Sequence, residues 1–280
     1  MLRLLTAWKT VWKFYSGDTA ETPYGTWPFW GNPAIADGKI YAGTSEHTPS
    51  QPMIRGCRLY CLDADTGDEI WSIRFGAGGG KVIADGTLIA LNEYQVIMYA
   101  FDKGQTITAV TASPKVTAKG SSVLIEGTVT DQSPAQPGTP AIADEYMTPW
   151  MEYLHMQQPI PSDAKGVPVT LDAIDPNGNW IHNGSATSDL SGFYSYMWKP
   201  EHEGKYTIIA TFEGSDSYWS SYAETAIGVD PASSPAQVIE PEPTTATEAP
   251  FITTEIAIIT AVAIACVIGV AAFWALRKRK

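Results

Sequence analysis

Few residues in this chain are of types and spacings that do chemistry. The four histidines, His47, His155, His182 and His202, fall in unrelated segments, and no G-x-S-x-G, H-E-x-x-H or Walker pattern accompanies them. The one cluster of soft ligands is Met147, Met151, His155 and Met156. Met147, Met151 and His155 recur every fourth residue, which places them on one helix face, and thioether with imidazole suits Cu(I). Pro149 would disturb the helix that aligns Met147. A packed or partner-binding patch over 146–156 is the competing reading, because methionine among aromatics commonly covers a sticky surface. Met151 and His155 are therefore weak metal candidates.

Other chemical candidates have simpler explanations. Asp63, Asp65 and Asp68 alternate like a calcium loop, but Arg74 stands where such a loop needs its twelfth-position Glu. Cys57 and Cys61 lie on one face of an expected strand about 13 Å apart, beyond disulfide reach. They read as small buried residues. The glycines of 76–80 lead into a strand rather than a helix N-terminus, which disfavours a phosphate cradle. Asn183-Gly184-Ser185 is a glycosylation sequon, usable on an exposed hairpin of an exported chain. No residue is assigned to catalysis, to a cofactor or, beyond the weak pair, to a metal.

The elements that hold these residues are mainly β. Ile35-Ala36-Asp37-Gly38 recurs as Ile83-Ala84-Asp85-Gly86, and Leu59-Tyr60-Cys61-Leu62-Asp63 aligns with Met98-Tyr99-Ala100-Phe101-Asp102. The two offsets, 48 and 39, differ by a longer loop at 46–55. A third partial copy opens the chain, where Thr10-Val11-Trp12 matches Glu69-Ile70-Trp71. Strand repeats of about 40–50 residues mean propeller blades or a similar array. The stretch 39–43, with Leu59 through Asp65-Thr66-Gly67 to Trp71, resembles the quinoprotein-like propeller repeat. In that family a Thr-Gly turn leads to a Trp packed between blades, so the resemblance implies that Trp12 and Trp71 are blade anchors. Pyrroloquinoline quinone is not supported as a cofactor by this chain: the family's dehydrogenases use adjacent cysteines, absent here. Residues 1–105 thus read as a partial propeller, since a ring needs about four to eight blades.

Residues 106–230 alternate differently. Strand patterns at 122–129, 167–174 and 205–212 are separated by turn clusters at 175–179, 191–192 and 203–204, which suggests a sandwich. Gly192, Tyr194, Trp198, Gly204, Tyr206, Phe212, Gly214 and Tyr218 resemble the pattern of immunoglobulin-like stalk domains of prokaryotic surface proteins. An insertion at 132–165 is rich in Pro, Met and Gln. Within it Thr148-Pro149 reads as N-cap and first helical residue, with Trp150, Met151 and Leu154 sharing a face and the helix ending before Pro159. The combination of blades, sandwich and anchor resembles archaeal surface proteins.

Residues 231–252 form a Pro/Thr/Glu linker, and 256–276 are 21 residues without a charge. At 1.5 Å per residue they span about 30 Å, the thickness of a bilayer. A transmembrane helix over 253–276 would contact membrane lipid, with Trp274 at an interface. Arg277, Lys278, Arg279 and Lys280 then form a basic cytoplasmic tail, leaving 1–252 outside the cell membrane. The opening residues read as strand rather than signal peptide. Either the start lies upstream, or the protein is tail-anchored with its body in the cytosol; the repeats favour the former. With 30 acidic against 18 basic residues and a net charge of −12, nucleic acid is excluded as main partner.

The expectation is a mainly β, single-pass, non-enzymatic surface scaffold, with protein partners at the blades or the 146–156 patch. A quinone- or metal-dependent oxidoreductase with its catalytic blades in a missing N-terminal part is the alternative.

Overall fold

The computed structural model describes residues 2–6, 9–17, 27–45 and 56–232 and, near the C-terminus, residues 259, 262–264, 266–270, 274 and 277. The chain divides into two compact units, Met1–Ser233 and Ser234–Lys280.

The first unit opens with three successive antiparallel sheets. β1 (Leu2–Thr6) and β2 (Lys9–Phe14) form a hairpin; β3 (Ala34–Ala36), β4 (Lys39–Gly43), β5 (Arg58–Asp63) and β6 (Glu69–Arg74) form a four-stranded meander; β7 (Lys81–Ala84), β8 (Thr87–Asn92) and β9 (Ile97–Phe101) form a three-stranded one. The repeated Asp-Gly pairs make the same turn twice. Asp37 and Gly38 have φ of 48° and 64°, and Asp85 and Gly86 have 49° and 83°, the left-handed pair that matches the twist of a two-residue hairpin.

Alternation then gives the second sheet two apolar faces. Ile40, Ala42, Tyr60 and Leu62 of the second sheet pack on Trp12, Phe14 and Leu2 of the hairpin. Tyr41, Leu59, Trp71 and Ile73, from its other face, pack on Ile83, Leu88, Ala90, Tyr99 and Phe101 of the third sheet. Trp12 and Trp71 occupy equivalent places between consecutive sheets. Trp12 donates its indole N–H to the Ala64 carbonyl at 3.0 Å, and Trp71 stacks on Phe101 with centroids 5.9 Å apart. The third sheet lacks a fourth strand, because after Phe101 the chain runs straight into the next element. Among the described residues no sheet joins the two ends of this stack into a ring.

β10 (Thr106–Ser113), β12 (Val123–Asp131) and β15 (Phe193–Trp198) form one sheet of a sandwich. The other has the order β11 (Val116–Ala118), β17 (Ser221–Asp230), β16 (Gly204–Phe212), β13 (Pro168–Ile174), β14 (Trp180–Thr187). All pairings are antiparallel except β11 with β17. The core holds Val123, Ile125, Val169, Leu171, Tyr194, Tyr206, Ile208, Phe212 and Tyr218, each at most 1% exposed. The aromatic positions of the immunoglobulin-like pattern are thus core residues, with Trp198 packed edge-on against Tyr206 at 5.1 Å.

The insertion between β12 and β13 carries a 3-10 turn, Asp144–Tyr146, and the helix α1 (Met147–Met156). The helix starts earlier than the Thr148-Pro149 signal indicates: Tyr146 is the N-cap, so Pro149 is the third helical residue. That position still belongs to the first turn, where the missing N–H has no intrahelical acceptor to lose. The expected shared face of Trp150, Met151 and Leu154 also divides. Trp150 and Leu154 join a small core with Ile142 and Ala164, while Met151 points to the sheet stack.

In the second unit the described residues are helical, and Ile259, Val262, Ile264, Val267, Ile268, Val270 and Trp274 are exposed. Among the described residues no helix is long and apolar enough to cross a membrane. Most of the expected span 253–276 and nearly all of the linker 231–252 lie outside the described residues, as do His47 and the loop 46–55.

Candidate functional site

The weak metal pair Met151 and His155 lies on α1 where the helix packs on the sheet stack. Met151 and Met156 are partly buried against the cluster that contains Phe75, Tyr99, Phe101 and Trp71. Gln136, only 8% exposed, organises the other side: its amide N–H donates to Asp131 at 2.7 Å and to the Met151 sulfur at 3.6 Å. The Gln136 amide oxygen, which can only accept, meets His155 Nε2 at 2.6 Å. This geometry assigns the imidazole proton to Nε2. Asp131, fully buried, also accepts the Ser133 N–H at 2.6 Å.

Acid, amide and imidazole thus lie in series, but the amide in the middle cannot pass a proton as a carboxylate or imidazole does. The His155 ring also rests edge-on against Tyr99 at 6.0 Å, and its backbone carbonyl accepts from Gln95 at 3.1 Å. Burial lowers the His155 pKa below its ordinary value, and the Asp131 charge opposes that shift. The arrangement keeps a neutral imidazole in one orientation. Met147 does not line up with the pair: it packs on the sandwich core and on the small core around Trp150. Among the described residues no group of three His, Cys, Asp or Glu side chains is placed to hold a metal.

Glu152, between the two metal candidates, was not singled out by the sequence. One of its carboxylate oxygens accepts the backbone N–H of Arg74 at 2.7 Å and the Arg58 guanidinium at 3.2 Å. Its side chain is 12% exposed. Arg58 also donates to the hydroxyl and carbonyl oxygens of Ser72 at 3.0 and 3.2 Å. The Thr148 hydroxyl, freed from capping, donates to the same carbonyl at 2.8 Å. The helix is therefore fastened along the outer strand of the second sheet by charge-assisted bonds and by apolar contact. A pair separated by 94 positions leaves no periodic trace in a single sequence.

The remaining candidates resolve locally. Asp63 accepts the backbone N–H groups of Asp65 and Thr66 at 2.9 and 2.8 Å, so its carboxylate closes the repeat turn, and these bonds hold its pKa down. Cys61 is fully buried with its thiol pushed up to about 11, chiefly by that burial. Cys57 is fully buried as well. In the Gly-rich segment the carbonyls of Ala77 and Gly79 accept from the buried Lys81 ammonium at 2.9 and 3.1 Å, an arrangement that presents oxygens rather than the N–H groups a phosphate needs. Asn183 sits in a register shift of β14 opposite Leu171 and Asp172; its carbonyl accepts from Tyr196. The Asn183 side-chain nitrogen, the atom that would carry a glycan, is buried without a hydrogen-bond partner. His182, by contrast, is exposed and meets Asp172 at 2.8 Å on the outer face of the five-stranded sheet.

No family model matches the chain, and neither does any curated protein. Solved structures show distant similarity. The fibronectin(III)-like modules of CbhA from Clostridium thermocellum are 17% identical with a TM-score of 0.29, over 69% of this chain and 85% of that one. A CARDB domain from Pyrococcus furiosus, described in complex with di-metal ions, is 15% identical with a TM-score of 0.25, over 46% and 91%. BamB from Moraxella catarrhalis is 11% identical with a TM-score of 0.19, over 69% and 61%. All three TM-scores are low, and no property of these proteins is carried over to this chain.

Proposed function

We propose that the chain is a non-enzymatic, membrane-anchored surface scaffold. In this reading residues 1–105 are propeller-type blades, 106–230 an immunoglobulin-like stalk, 231–252 a spacer, 253–276 the spanning helix and 277–280 a cytoplasmic tail. One observation carries the scaffold role: at the α1 seam the groups able to do chemistry are all engaged in holding the structure, Glu152, Asp131 and Arg58 on backbone and His155 on the Gln136 amide. The uncharged stretch 256–276 followed by four basic residues supports the anchor.

Two measurements on the purified full-length chain test the proposal. Absorbance and intact mass should show neither bound quinone nor stoichiometric redox metal; either one would replace this reading with the oxidoreductase alternative. Replacing Val262 and Ile264 with Arg should release the protein from membranes, since each central Arg costs about 2.5–3.5 kcal/mol on insertion scales. Retention of that double variant at the unsubstituted level would remove the anchor.

A further inference from the structure

We propose that α1 is a guard on the edge of β6, holding that strand's outward backbone groups so that the second sheet does not add β6 of a second copy of this chain.

Among the described strands β6 ends the second sheet, with β5 on its inner side. The Phe75 N–H donates to the Cys57 carbonyl at 2.9 Å, which makes these two residues a bonded pair of the β5–β6 ladder. Bonded and unbonded pairs alternate. Ser72, opposite Tyr60, and Arg74, opposite Arg58, therefore turn their N–H and C=O groups away from β5. Those are the groups a further strand would use.

α1 takes one group from each residue. The Thr148 hydroxyl donates to the Ser72 carbonyl at 2.8 Å, and Glu152 accepts the Arg74 N–H at 2.7 Å. The spacings agree: four helical residues advance about 6 Å and two strand residues about 6.6 Å, so one helix face can follow the strand edge. At the next outward position the Gly76 carbonyl already accepts the Glu93 N–H at 2.9 Å. Met151 and Met156 hold the helix in place by apolar contact with the stack.

This edge has more need of a cover than its counterpart. β3, at the other end of the sheet, has three residues, whereas β6 has six. The β6 sequence, Glu69-Ile70-Trp71-Ser72-Ile73-Arg74, is rich in strand formers, balances one acid with one base and holds neither Pro nor Gly. A segment of that composition pairs with copies of itself when its edge is open. It names β6 of a second copy as the strand excluded, since two identical edges related by a two-fold axis pair antiparallel. The guard itself lies in the insertion between β12 and β13, outside the sheet it covers. Releasing it opens the edge without removing a strand.

Thr148→Val with Glu152→Leu removes both bonds to the edge. In sedimentation of the full-length chain in detergent, this double variant should associate at least about tenfold more tightly than the parent. Adding Arg74→Pro should return association to the parental level, because it deletes an outward N–H and leaves the bonds to β5 intact. Hydrogen exchange reads the edge directly. The Arg74 amide should exchange slowly in the parent, fast in the dilute double variant and slowly again in the concentrated one. A double variant no more associated than the parent overturns the proposal, as does association that survives Arg74→Pro. An Arg74 amide that exchanges freely in the parent overturns it without any substitution, so the outcome does not depend on how well the variants fold.

Discussion

His155 is held by Gln136 on one ring nitrogen and by Tyr99 on its edge, in a setting whose burial disfavours the charged form. A base whose folded pKa lies below its ordinary 6.5 takes its proton more readily in the unfolded chain. Its stabilising contribution is complete above pH 6.5 and declines as pH falls toward the lower folded value. Asp144, where burial pushes the pKa up but the bonds from Ser215, Asp216 and Ser217 together outweigh it and hold it below 3.8, adds a second loss in the same direction at more acid pH. Urea-unfolding midpoints from pH 7.5 to pH 5 should therefore fall, and His155→Gln should flatten that slope. An unchanged slope in the variant would place the titration elsewhere. Met151 and His155 were legible from composition as a pair. Their partner Gln136 was not, because its role depends on folding of the insertion back toward Asp131.

Turns decide how the sheets stack. Gly67 has φ of 78°, and a Cβ there would come within 2.5 Å of the Trp12 ring. Gly86 has a similar φ of 83° with nothing within 4 Å. Gly86→Ala should cost only the left-handed strain, about 1–2 kcal/mol. Gly67→Ala should cost on the order of 2–4 kcal/mol, because Trp12 must also move. Equal losses in chemical denaturation would mean that Trp12 does not depend on this turn. The strand pattern and the Asp-Gly turns of this region were readable because period two and left-handed φ are local properties. The missing fourth strand was not readable, since residues 102–105 differ little from a turn that continues the sheet.

At the scale of the first unit, the sheet stack and the sandwich are joined by α1 as well as by the chain itself. The sandwich has its own core, so residues 106–230 are expected to fold alone; residues 1–105 are expected to need a neighbour. Because α1 belongs to the sandwich in sequence and to the stack in contact, damage to either should be felt by both. Met151→Asp places a charge against the apolar cluster around Phe75 and should detach the helix. Calorimetry should then resolve one transition into two, with the sandwich transition close to that of the isolated fragment. A single transition at an unchanged temperature would show that the seam does not couple them. The length and position of the insertion were plain in the sequence. Its attachment was not, because Glu152, Arg58 and Arg74 come together only once both regions have folded.

The path of β17 has a mechanical consequence. Thr106, where the chain enters the sandwich, hydrogen-bonds Ser221 at the start of β17, and the chain leaves at Asp230, the other end of the same strand. Entry and exit are thus about 30 Å apart at roughly 3.3 Å per residue. A pull between them runs lengthwise along β17, which is bonded to β16 on one edge and to β11 on the other. Such a load shears the ladder, so many hydrogen bonds must yield together instead of unzipping one after another.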